Sequence, residues 1–120
     1  MKTVLRLEEA AMTAAALYFL YQHNLGWPAW LWTLLFFSPD IGMLGYLAGN
    51  RAGAISYNIF HHKGLALALA FAGYLTGREL LLAIGILLFA HSSFDRIWGY
   101  GLKYFSGFKR THLGRLGGVD

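Results

Sequence analysis

The chain has 120 residues, 57% hydrophobic and 17% aromatic, with only 13% charged and no cysteine. A mean hydropathy of +0.45 leaves too few polar residues to solvate one face of every helix, which excludes an ordinary soluble domain and points to an integral membrane protein. The missing cysteines exclude disulfides, thiolate metal sites and cysteine nucleophiles. The net charge of +4 gathers in Lys103, Lys109, Arg110 and Arg115, where it suits a membrane face and argues against nucleic acid as a partner.

Four apolar segments follow one another, at about residues 5–22, 28–48, 52–75 and 79–102. Each is near the roughly 20 residues that cross a hydrocarbon core of about 30 Å. The first follows Met1, Lys2 and Arg6, which have the charge of a signal-peptide start. Glu8 and Glu9, however, interrupt the apolar run that such a peptide needs, so the segment is expected to remain as a first helix.

After the breaker His23-Asn24-Leu25-Gly26, the second segment opens with Trp27, Trp30 and Trp32, expected as an outer aromatic belt. Pro39 lies within it and removes a backbone donor, which predicts a kink that opens the helix at Asp40. Gly49-Asn50-Arg51 separates it from the third segment, which carries Asn58, His61, His62 and Lys63. Lys63 reads as a snorkelling residue or counter-ion. Thr76-Gly77-Arg78 leads into the fourth segment, with His91, Asp95 and Arg96; Trp98, Tyr100 and Tyr104 suit an inner belt. Gly45-x-x-x-Gly49 and Gly73-x-x-x-Gly77 predict faces where helices approach closely and allow a homo-oligomer.

Short loops make consecutive helices antiparallel neighbours. The expected fold is all-α: a four-transmembrane-helix up-down-up-down bundle over residues 1–102, with a short basic cytoplasmic or interfacial tail over 103–120. Lys2, Arg6, Arg51 and the C-terminal basic residues fall on one side and Arg78 on the other, which places both termini in the cytoplasm. His23 is expected in solvent in an outer loop, and His112 in the tail.

Counting about 1.5 Å per residue from the cytoplasmic end of each helix, Asp40, His61 and His91 lie at one depth. Asn58 and Asp95 are about one turn shallower, with Glu8 and Glu9 near them. His91 and Asp95 share a helix face at i, i+4, and Glu9 and His61 are taken as the inward members of their adjacent pairs. Ionisable groups are costly in hydrocarbon and mark sites when they gather at one level. His61, His91, Asp95 and Asp40 form a coherent nitrogen and oxygen ligand set for zinc or iron. Glu9 and Asp40 are the candidate acid/base groups, and Asn58 and Tyr46 would contact the cofactor. Tyr57 reads as a packing residue.

The strings Ser38-Pro39-Asp40-x-x-Met43-Leu44-Gly45-Tyr46-Leu47-Ala48-Gly49, Tyr57-Asn58-x-x-His61, Ala90-His91-x-x-x-Asp95-Arg96-x-x-Gly99-Tyr100-Gly101-Leu102-Lys103 and Gly107-Phe108-Lys109-x-Thr111-His112-Leu113-Gly114 resemble the small bacterial membrane family catalogued as domain of unknown function 4260. The resemblance covers nearly the whole chain and implies a four-helix inner-membrane protein with no assigned activity. The order Glu8-Glu9, His61, His91-x-x-x-Asp95 is also similar to that of the intramembrane glutamic proteases. It lacks that group's Arg after the paired glutamates and the Phe four before His61, and the chain has about half the helices.

Function is therefore expected to rest on an intramembrane metal site of a hydrolase or oxidoreductase acting on a membrane-soluble molecule among lipids. The alternatives are a small transporter or proton- or cation-coupled channel, haem or quinone binding by His61 and His91, and a purely structural role.

Overall fold

The computed structural model describes residues 2–98, 103–104, 107–111 and 114–115. Its two long helices are α1 (Lys2–Gln22) and α5 (Glu79–Ile97). α5 is the axis: α1 and α4 (Lys63–Thr76) both pack along it, and α2 (Ala29–Phe37) touches it more briefly. Leu20, Trp32, Ala83 and Leu87 bury together where α1, α2 and α5 meet.

Trp32 departs from its expected place in an interfacial belt. It is 8% exposed and stacks on Trp27 with centroids 5.2 Å apart, and its Nε1–H donates to the Asn24 carbonyl at 3.0 Å. The Asn24 carbonyl, which also accepts from the Trp27 N–H in the α1–α2 turn, satisfies the indole donor, so the ring can be buried there. Trp30 and Trp98 remain exposed, and Tyr100 lies outside the described residues.

Two of the four expected helices are interrupted. α2 ends at Phe37, and the chain continues as a 3-10 helix, Ser38–Ala48, with Pro39 in its first turn. Proline cannot supply the N–H that an α-helix needs at this point. The third segment breaks at His62, whose backbone is extended (φ −87°, ψ 114°) between α3 (Asn50–His61) and α4. The His62 Nδ1 accepts from the Leu65 N–H at 3.0 Å and caps α4, so its side chain satisfies a donor that the break exposes. The described residues thus hold five α-helices and a 3-10 helix where four continuous helices were expected.

The 3-10 helix and α3 form an antiparallel hairpin. A Cβ at Gly45 would lie 2.9 Å from the Ala52 carbonyl oxygen, so the pair depends on a missing side chain. α4 and α5 touch in the same way, at Gly73 against Leu82 and at Gly85 against Ala70. The outer members of the two glycine pairs do something else: Gly49 (φ +119°) and Gly77 (φ +69°) make the turns that close the hairpins, in a region that favours glycine.

β1 (Lys103–Tyr104), β2 (Gly107–Thr111) and β3 (Gly114–Arg115) form an antiparallel sheet in that order, and β1 and β2 lie against α3. His112 lies outside the described residues.

Among the described residues, the stretches Ala29–Ala48 and Glu79–Ile97 are long and apolar enough to cross a membrane. Large apolar side chains cover much of the exterior, Leu47, Leu75 and Leu7 among them. Replacing Gly85 by Val should push α4 from α5 and lower stability by about 1–3 kcal/mol, read as a fall in unfolding temperature.

Candidate metal centre

Both helix interruptions fall at one place. Pro39 starts the 3-10 helix and sets Asp40 in its first turn, while His61 is the last residue of α3. α5 presents His91 and Asp95 from one face, as i, i+4 spacing requires. Four ring and carboxylate atoms from three elements converge.

The separations define a small polyhedron. His91 Nε2 lies 3.1 Å from His61 Nε2, 3.1 Å from Asp40 Oδ1 and 3.3 Å from Asp95 Oδ2. His61 Nε2 lies 3.1 Å from Asp95 Oδ2 and 3.4 Å from Asp40 Oδ1. All four atoms are within 4.8 Å of one another. A tetrahedral ion with ligand bonds of about 2.0–2.1 Å sets its donors about 3.3–3.4 Å apart. Five of the six edges are therefore close to the size that a zinc or ferrous ion imposes.

The tautomer of His61 supports this use. Its Nδ1–H donates to the Tyr57 carbonyl at 2.9 Å, one helical turn back, which leaves the Nε2 lone pair directed at the other three atoms. The Tyr57 ring stacks on the imidazole at 3.8 Å and 4°, and its hydroxyl reaches Asp95 Oδ2 at 3.5 Å. Phe36 and Phe37 stand edge-on to the His91 ring at 5.3 and 6.5 Å. His91 Nδ1 is buried and has no partner among the described residues, so these aromatic walls set the ring's orientation.

Burial is uneven. The side chains of His91 and His61 are 1% and 4% exposed and that of Asp95 14%, but that of Asp40 is 44% exposed. The centre is closed on the α3–α5 side and open beside Asp40. Two carboxylates and two imidazole lone pairs at these distances repel one another in a poorly hydrated place unless protons or a cation lie between them.

The other candidate residues supply none of the four donors. The carboxylate of Glu9 pairs with the Lys63 ammonium, which also lies 3.7 Å from Met12 Sδ and 5.5 Å from the Phe89 ring centroid. Tyr46 is half-buried and packs its ring over Gly53, and Asn58 is half-buried on α3. Neither supplies one of the four donors. His23, partly exposed in the turn after α1, faces Glu79 Oε2 at the start of α5 at 3.1 Å. Two neighbours of the centre were not assigned this part from sequence. Tyr57 stands i, i+4 from His61, a spacing that could have flagged it. Arg96 donates to the His61 carbonyl at 3.4 Å and satisfies the end of α3.

Residues 2–116 match the family described as Domain of unknown function (DUF4260). The chain belongs to that family. No curated protein and no solved structure matches it. The matched span of this DUF4260 chain includes all four donors of the centre, and the family description carries no activity to transfer.

The Lys63–Glu9 pair is mostly buried, at 15% and 16% exposure. Lys63→Met should cost about 3–5 kcal/mol by stranding the carboxylate, and Lys63→Met with Glu9→Leu should recover much of that loss. Chemical unfolding of the single and double variants checks both.

Proposed function

We propose that this DUF4260 protein is a multi-pass inner-membrane protein whose His61, His91, Asp95 and Asp40 hold a zinc or iron ion, and that it acts as a hydrolase or oxidoreductase on a membrane-soluble substrate. The observation that carries the proposal is the close spacing of the four donor atoms, 3.1–3.4 Å along five of their six edges. A divalent cation balances the two carboxylates in one step.

The membrane setting is supported by two stretches of spanning length and by the apolar exterior. Lys2, Arg6 and Arg51 suggest termini on the cytoplasmic side. A bound ion would polarise a carbonyl or phosphoryl oxygen or activate water or dioxygen. The chain's own part is to hold the ligand geometry, exclude water with Tyr57, Phe36 and Phe37, and offer the accessible Asp40 carboxylate as acid or base. Glu9 has no part in this reading, since Lys63 engages it. The reading is preferred to a bis-His haem because the His61 and His91 Nε2 atoms lie 3.1 Å apart, closer than the two axial nitrogens of one haem iron.

A second reading, cation or proton passage, is favoured by the two interrupted helices at the centre, an arrangement that transporters use to expose backbone at a binding site. Flux into proteoliposomes that vanishes in both Asp40→Asn and Asp95→Asn would favour it over the enzyme.

Metal analysis of purified protein decides the main proposal. One zinc or iron per chain is expected in the wild type after loading, and none in His91→Ala with helicity retained. Affinity should fall as the pH is lowered, because both imidazoles must be unprotonated to bind. A folded wild type that takes up neither metal overturns it.

A further inference from the structure

On the basis of the metal-binding reading above, we infer that Asp40 is the exchangeable ligand of the centre and that the position it vacates receives an anionic oxygen of the substrate. The four donors are not held equally. His61 is fixed by its bond to the Tyr57 carbonyl and by the stacked Tyr57 ring. His91 is walled in by Phe36 and Phe37. Asp95 sits on the same helix as His91 and faces the Tyr57 hydroxyl. Among the described residues, Asp40 bonds to nothing outside the centre.

Its backbone differs too. The other three ligands stand on α-helices, but Asp40 stands on a 3-10 helix directly after a proline. Such helices have poorer hydrogen-bond geometry and often mark hinges. With a side chain 44% exposed against 14% or less for the other three, Asp40 is the ligand that can leave without opening the core.

The set that remains, two imidazoles and one carboxylate from α3 and α5, is the one that leaves coordination positions free on ferrous iron. On zinc, three protein ligands with one open position distinguish a catalytic site from a closed structural one. Charge selects the incoming group. A divalent ion with Asp40 and Asp95 is neutral, and loss of Asp40 leaves one positive charge in apolar surroundings. A carboxylate or phosphate oxygen restores neutrality where a neutral donor would not. The substrate class is thus a membrane-soluble molecule with an acidic head, entering from the open Asp40 side.

Cobalt(II)-loaded protein tests this with azide as the probe anion and the visible spectrum as the readout. Asp40→Ala and the shape-preserving Asp40→Asn should each keep one cobalt per chain and respond to azide at concentrations at least about tenfold below those the wild type needs. Asp95→Ala and His91→Ala should lose the metal. The inference is overturned if both Asp40 variants lose cobalt as fully as Asp95→Ala, or keep it and respond to azide no better than the wild type. A wild type that takes up no cobalt, zinc or iron instead defeats the metal-binding reading itself.

Discussion

Two carboxylates and two imidazoles whose donor atoms lie 3.1–3.4 Å apart along five of six edges, in a place lined by aromatic rings, set the constraint that the surrounding structure must meet. Each group prefers water or a partner of opposite character, and three of the four side chains have almost no access to water. Their convergence is tolerable only if positive charge sits among them. The surrounding elements serve that constraint. Tyr57 fixes one imidazole, Phe36 and Phe37 confine the other, and Arg96 satisfies the backbone end from which His61 projects.

The interruptions in the helices follow from the same requirement. A continuous helix through Asp40 or His61 would bury its backbone in its own ladder and present those side chains among many others along a stripe. Ending α2 at Phe37 and α3 at His61 lets short segments bring single side chains to one point beside α5. The freed backbone is satisfied locally: the Ser38 N–H bonds the Leu35 carbonyl, the His62 imidazole caps α4, and Arg96 reaches the end of α3. Glycines at Gly45, Gly73 and Gly85 then bring the paired elements together without side chains between them.

Much of this was legible in the residues. The turns at His23–Gly26, Gly49–Arg51 and Thr76–Arg78 stand out as polar and glycine-rich breaks, and Pro39 announces a change of helix before Asp40. Rise per residue is nearly constant within a helix, so counting places Asp40, His61 and His91 at one depth, and the i, i+4 spacing puts Asp95, one turn shallower, on the face of His91. The break at His62 was not legible, since the nearest glycine, Gly64, lies inside α4 and the break depends on a histidine capping that helix. Nor was the pairing of Glu9: depth placed it near the others, but an adjacent pair such as Glu8 and Glu9 carries no statement of which neighbour a side chain meets. Trp32 was assigned to an interface because indoles favour such places, while its burial depends on a carbonyl offered by the α1–α2 turn.

The chain's membership of its family, its helical character, its apolar exterior and the identity of the groups able to bind a cation were determined by the sequence alone, because they depend on composition, local spacing and residue chemistry. Which of those groups share a point in space, which one stays accessible, and which are claimed by other partners were decided only by the tertiary structure. Periodicity along a helix sets a residue's height and face, but distance between helices depends on how their surfaces pack. Differences of a few ångströms separate a ligand set such as His61, His91, Asp95 and Asp40 from an ion pair such as Glu9 with Lys63.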